Sequence, residues 1–147
     1  MVVRSPERKL TELYEADETA WLDEMARLAA AGDAGRLDLP HLSEYLTDMA
    51  KRDRREVLSR LTVLLAHLLK WDAQPDKRVK SWETTIRIQR RELEQLLQSG
   101  ALRTFAEAQI GKAYEWAVED AMSETELPRE AFPAECPYTL AAALGEE

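Results

Sequence analysis

Between Leu61 and Leu69 the chain reads LTVLLAHLL, its longest nearly unbroken apolar run, and a histidine sits inside it. A stretch that is apolar on all sides must be enclosed by other elements or by lipid. His67 and Lys70 interrupt it well short of the roughly 18 residues that a membrane span requires. It is therefore expected to form the buried centre of a folded domain. With 147 residues, the chain can bury about two-thirds of the surface its unfolded form exposes. An apolar share of 45% beside 33% charged residues excludes wholesale disorder. Ala, Leu, Glu and Arg dominate and glycine is scarce within the periodic segments, which favours helix throughout.

The periodicity predicts four main helices. Ser5-Pro6-Glu7 reads as a helix start, with a hydroxyl cap, proline in the first turn and an acid at the positive dipole end. Leu10, Leu13, Tyr14, Trp21, Met25 and Leu28 then form one apolar stripe, ended by Gly32 and Gly35. Asp17 falls on that stripe, where a carboxylate is expected to be buried and to need a donor. Asp38 can cap a second helix with Pro40 in its first turn. Its apolar positions Leu42, Tyr45, Leu46 and Met49 are followed by KRDRRE, from Lys51 to Glu56, and resume at Val57, Leu58, Leu61, Leu64, Leu65 and Leu68. An unbroken helix from Pro40 to Trp71 would measure about 48 Å, so a kink near the charged run is expected. The charged run itself reads as a solvated face.

Pro75 stops that helix. Ser81 is a candidate cap for a third, whose stripe is Trp82, Ile86, Leu93, Leu96 and Leu97 with Gln89 upon it. Ser99-Gly100 breaks the chain before a fourth helix from about Ala101 to Ser123, lined by Leu102, Phe105, Ala106, Ile110, Ala113, Ala117 and Ala121. Small residues there permit close approach. Pro128, Pro133 and Pro137 then forbid regular helix, and the tail is expected to wrap back with Phe132 and Tyr138 as anchors and a short helix ending at Leu144. Short connections favour antiparallel neighbours. The expectation is an all-α, up-and-down bundle of four main helices with a Pro-rich C-terminal wrap, a single domain with its core at about 6–124 and its tail at 125–147.

Charge is unevenly spread. Residues 51–91 carry twelve Lys/Arg and five Asp/Glu, whereas the remainder carries eight and twenty-three, giving −8 overall. Such asymmetry marks a site for an anionic partner, or else the basic middle lies against the acidic flanks and is neutralised within the fold. The second reading is the ordinary one for a helical bundle. Net acidity opposes approach to a polyanion, so weak nucleic-acid binding through 51–91 ranks lowest among the functional readings. A single cysteine, Cys136, excludes an intrachain disulfide and fits a reducing, cytoplasmic location. The first ten residues, MVVRSPERKL, lack the apolar core of a secretory signal.

Signatures of catalysis are sparse. The glycines are isolated at helix ends rather than gathered in a phosphate loop. Neither His41 nor His67 has the glutamate three residues earlier that paired-iron bundles use. No metal, cofactor or catalytic residue is assigned. What remains is a set of polar and aromatic groups at core positions. Arg60, Leu64, His67, Trp71 and Gln74 share one face of the central helix, with Lys70 beside them. Asp17 and Gln89 hold corresponding places on two other helices, so Asp17 is expected to accept from His67 or Arg60 and Gln89 to complete the network. Trp71 and Trp82 flank the loop that carries Gln74 and Arg78. The candidate pocket or buried network is thus Asp17, Arg60, His67, Lys70, Trp71, Gln74, Arg78, Trp82 and Gln89.

YEADETAWL, DLPHLSEYL, REVLSRLTVLLAHLLKW, QPDKRVKSWETTIRIQRREL and FPAECPYTL, in that order from about Leu13 to Leu144, resemble the Domain of Unknown Function family 29. The resemblance implies a bacterial, all-helical domain with no assigned activity. The positions that match its motifs are Tyr14, Asp17, Trp21, Arg60, His67, Lys70, Trp71, Gln74, Arg78, Trp82, Gln89 and Arg90. One departure is Glu44-Tyr45, where the family tends to carry consecutive acids. The leading functional expectation is a non-catalytic helical interaction or accessory module whose partner is another protein or a second copy of itself. The alternative is a small-molecule or enzymatic pocket around Asp17, His67 and Lys70.

Overall fold

Six α-helices organise the computed structural model: α1 (Pro6–Ala16), α2 (Glu18–Ala30), α3 (Leu39–Ala73), α4 (Lys80–Leu96), α5 (Gly100–Thr125) and α6 (Leu140–Leu144). It describes the backbone of residues 6–147 and the side chains of residues 10–147. Ser5, the expected cap of α1, lies outside the described residues. Among the described residues there is no strand, and the protein is all-α.

The chain divides into two compact units, one ending at Lys51 and the other beginning at Arg52. The division falls inside KRDRRE. No break interrupts the secondary structure there, because α3 is one continuous helix of 35 residues. Arg, Lys and Glu are all good helix formers, so nothing in the charged run breaks the backbone ladder.

In the first unit the expected single helix is two. Asp17 leaves helical geometry at φ −156° and ψ 89°, and its side chain accepts the Ala20 N–H at 3.1 Å. A carboxylate that can satisfy an amide at the start of a helix competes with continuation of the ladder. Here α1 ends and α2 begins. Leu10, Trp21, Met25 and Leu28 form the core of this unit, with Leu13, Tyr14, Leu22, Leu37, Leu42 and Tyr45 packed around them. Gly32 closes α2 at φ +73°, with its N–H on Ala29 O and the Asp33 N–H on Leu28 O, a Schellman turn that needs the left-handed conformation.

The second unit is built round the remainder of α3. Val57, Leu61, Leu64, Leu65, Ala66, Leu68 and Leu69 are all buried, and they meet Ile86, Leu93 and Leu97 from α4 and its end. Ala106, Ala113, Ala117 and Ala121 of α5 are buried against the same core, so small side chains set how closely α5 approaches. The helix start at α4 differs from expectation: Val79, with no side-chain cap bond, precedes Lys80, and Ser81 is already inside the helix. Ser99 does cap α5 through the Leu102 N–H at 3.3 Å. Beyond α5 the chain is held by Phe132, which is buried in the core, and by three carbonyls, those of Phe132, Pro133 and Ala134, gathered on the Arg129 guanidinium. The Tyr138 hydroxyl donates to Asp72 at 2.5 Å. Thr139 starts α6 by accepting the Ala142 N–H at 3.0 Å.

Glu126 ends α5 in the left-handed region at φ 61°. A side chain with a Cβ is strained there, and glycine is not. Glu126→Gly is expected to raise stability by about 0.5–1 kcal/mol, read as a higher urea midpoint; a lower midpoint would show that Glu126 contributes a contact outweighing the strain.

Candidate functional site

The polar positions of the second unit pair off locally rather than converging on one pocket. Arg60, on α3, donates Nε to Glu56 at 3.0 Å and Nη1 to Gln89 Oε1 at 3.3 Å, tying α3 to α4. Lys70 is only 5% exposed. Its ammonium bonds Glu124 of α5 at 2.5 Å and lies 5.1 Å from the centre of the Trp82 ring. A buried ammonium needs such company, since neither a carboxylate nor an aromatic face alone replaces its hydration. Arg78 covers the Trp71 ring at 4.5 Å and donates Nε to the Trp71 carbonyl at 2.9 Å. Gln74 is half-buried at the entrance to the turn Pro75–Lys77.

His67 lies 2.9 Å from the Val63 carbonyl through Nδ1, so that nitrogen carries the proton and donates within its own helix. Burial holds its pKa below the ordinary histidine value, and the Lys70 ammonium adds to the depression; the Val63 bond and Glu124 oppose it. Asp17, expected to accept from His67 or Arg60, is engaged within its own unit. Asp17 belongs to the first unit, is exposed, and spends its carboxylate on the α2 cap. Of the nine expected residues, the structure joins Arg60 with Gln89, Lys70 with Trp82, and Trp71 with Arg78.

A buried constellation that the sequence reading did not assemble occupies the first unit. Asp38, 9% exposed and placed directly before α3, accepts the Trp21 indole N–H at 3.1 Å and the His41 Nδ1–H at 2.7 Å on the same oxygen. The His41 ring is stacked on Tyr14 at 4.2 Å with an interplanar angle of 17°, and Tyr14 meets Trp21 edge-on at 4.8 Å. Asp38-x-x-His41 puts the two side chains one helical turn apart, and that spacing was the available signal. Read as a cap alone, Asp38 gives no hint of this pairing, and neither does the missing glutamate three residues before His41. Chemically, the carboxylate fixes the imidazole ring and satisfies the indole, and the two rings close the core over it.

Concave surface adjoins this constellation, where Leu10, Gly35, Leu37, Asp38 and Pro40 line a cavity of about 220 Å³, and more lies in the second unit. A groove of about 660 Å³ runs along α4 beside the end of α3, floored by Leu68, Trp71 and Ile86 and edged by Glu83, Arg87, Arg90, Arg91 and Glu94. Trp71 is the one expected residue that lines it. A shallower basin on α3 is lined by Arg52, Arg55, Glu56, Ser59 and Arg60. Among the described residues no three His, Cys, Asp or Glu side chains are close enough to hold a metal ion, and no helix is long and apolar enough to cross a membrane.

Ion pairs within the second unit engage some of the basic segment. Lys70–Glu124 reaches the acidic C-terminal part, but Arg60–Glu56 and Arg91–Glu92 are local. Lys51, Arg55, Lys77, Lys80 and Arg87 are in no ion pair among the described residues. Most of the basic side chains of 51–91 are exposed.

In comparison with known proteins, the family model described as "Domain of unknown function DUF29" matches residues 13–147. No curated protein and no solved structure matches.

Two predictions follow the two constellations. Because the folded state holds His67 neutral, the unfolded chain binds the extra proton; stability from this group is full above about pH 6.5 and is lost as pH falls below it. His67→Gln should flatten the decline in urea midpoint between pH 7 and pH 5, and an unchanged slope would assign that decline to other groups. Asp38→Ala leaves the Trp21 and His41 N–H groups without their acceptor and is expected to cost about 1–3 kcal/mol. Asp38→Asn, which keeps an acceptor oxygen, should cost less. Equal losses would mean that charge rather than hydrogen bonding carries the interaction.

Proposed function

This chain belongs to the DUF29 family, and we propose that it is a non-catalytic helical module that recognises another protein through the α3–α4 groove. The groove itself carries the reading. Its floor joins a tryptophan to aliphatic side chains and its edge is rich in arginine, the residue types that dominate the binding energy of protein interfaces. An elongated depression along a helix suits an amphipathic helix laid into it, with anchors at 3–4 residue spacing.

The polar groups elsewhere in the chain support the same assignment. Lys70 is committed to Glu124, Arg60 to Glu56 and Gln89, His67 Nδ1 to its own helix, and Asp38 to Trp21 and His41. Side chains so engaged hold helices in register. A small-molecule or enzymatic pocket around Asp17, His67 and Lys70 has less to rest on, because Asp17 caps an exposed turn. A polyanion such as nucleic acid meets Glu83 and Glu94 at the groove edge, which weakens the nucleic-acid reading.

The test uses a photo-reactive amino acid in place of one exposed residue, introduced in living cells. At position 87 it is expected to trap one discrete protein, and at position 119, exposed on α5, none. A trapped species with twice the mass of this chain would name a second copy as the partner. Equal labelling from both positions, or none from position 87, would overturn the groove as the recognition surface.

A further inference from the structure

Charge along the groove has an order. Glu83, Arg87, Arg90, Arg91 and Glu94 stand at i, i+4, i+7, i+8 and i+11 on α4, which places them on one helical face about 16 Å long. Acid lies at each end and base in the middle. Reversing the direction of reading leaves that order unchanged.

Glu83, Arg87 and Glu94 of this row are not spent on ion pairs among the described residues. Glu83 and Arg87 sit one turn apart, as do Arg90 and Glu94, and such spacings commonly close into ion pairs. Neither pair forms among the described residues. Arg90 instead donates Nε to the Ala143 carbonyl at 2.9 Å, and the carboxylate paired with Arg91 is the adjacent Glu92 at 3.8 Å. Arg87 has no partner there at all. Beneath this row the floor is apolar, with Leu68 and Ile86 buried and Trp71 half-buried.

From this order we infer the chemistry of the occupant: an amphipathic helix of a partner protein whose middle turn carries carboxylates, with cations about one and a half turns away on each side. The inference rests on reading the groove as a protein-binding surface and adds the charge pattern that selects its partner. Central carboxylates meet Arg87 and Arg91, terminal cations meet Glu83 and Glu94, and apolar anchors face Leu68, Trp71 and Ile86. A uniformly acidic helix is opposed at both ends and a uniformly basic one in the middle, so the pattern discriminates by repulsion as well as by attraction. Because the order reads alike in both directions, charge alone sets no orientation for the bound helix.

Three labelled, side-chain-stapled helices of equal length and identical apolar anchors test this against the full chain by fluorescence anisotropy. One has Glu at the centre and Lys at the ends, one has these exchanged, and one has Gln throughout. The acid-centred helix should bind about tenfold more tightly than the base-centred one at low salt, with the Gln helix between them. The difference should shrink as salt shortens the screening length from about 10 Å to about 3 Å. Exchanging the four exposed groove charges (Glu83→Lys, Arg87→Glu, Arg91→Glu and Glu94→Lys, with folding checked by circular dichroism) should invert the preference.

If the Gln helix binds as well as the acid-centred one, the charge order selects nothing and this inference fails while the groove remains a protein site. If no helix binds, the groove reading falls with it. A preference that survives the fourfold exchange locates the binding elsewhere. A dimer in sedimentation that the exchange dissolves, with no peptide bound, assigns the groove to a second copy and overturns the inference.

Discussion

The second unit depends on the burial of α3 from Val57 to Lys70. Val57, Leu61, Leu64, Leu65 and Leu69 are almost wholly removed from solvent, and they point to more than one side of the helix. A helix with one apolar stripe needs a single partner layer, whereas one that is apolar over most of its circumference must be surrounded. Each leucine so enclosed contributes about 1.5–3 kcal/mol, so leaving any side uncovered is costly. The surrounding elements follow from that demand: α4 supplies Ile86 and Leu93, α5 its alanines, and the chain beyond α5 supplies Phe132, Leu140 and Leu144. A short terminal helix and a proline-punctuated segment thereby become part of the core. They could not be dispensable ornament.

That enclosure also dictates the polar pairings. Lys70 lies at the end of the buried run, and its ammonium is taken out of water with the leucines before it. An unpaired charge there would be far more expensive than the helix could offset, and Glu124 together with the face of Trp82 meets the need. His67 escapes the problem differently, by donating its Nδ1–H to a carbonyl one turn back, with burial favouring the neutral ring. In the first unit Asp38 is the counterpart, a buried carboxylate reached by an indole and an imidazole. None of these groups needs a ligand to explain it.

Helix identity was legible from the sequence wherever local chemistry decides it. The apolar periodicity located α3, α4 and α5, Pro75 marked the end of α3, and Gly32 marked the turn after α2. Asp17 shows where periodicity misleads. The stripe continues across it in phase, yet its side chain can take over an amide bond from the backbone, and two helices result. The same capping logic failed at Ser81, where the helix begins two residues earlier, behind Val79 and without a side-chain cap. Partner choice was less legible still. That Arg60 would find Gln89, or Asp38 find Trp21, depends on how helices distant in sequence are rotated about their axes, which spacing within one helix does not encode. Asp38–His41 was within reach because both ends lie on one turn, but it required asking which acid precedes the histidine instead of whether a glutamate does.

The contrast between spent and unspent charge separates the structural groups from those available for recognition. Removing Asp38 would strand the Trp21 indole N–H in the core, and Lys70 is itself a buried cation that its partners hold, so both identities are tied to the stability of the fold. The charges along α4 are under no such constraint. Exposed pairs at i, i+4 are worth about 0.3–0.5 kcal/mol, and leaving Glu83, Arg87 and Glu94 unpaired therefore costs the fold little. Once a partner covers Trp71 and Ile86 and excludes water from the groove, the same charges interact through a lower effective dielectric and count for more. A surface of this kind can change its charge order, and with it the partner it selects, while the core that holds α3 and α4 together stays as it is.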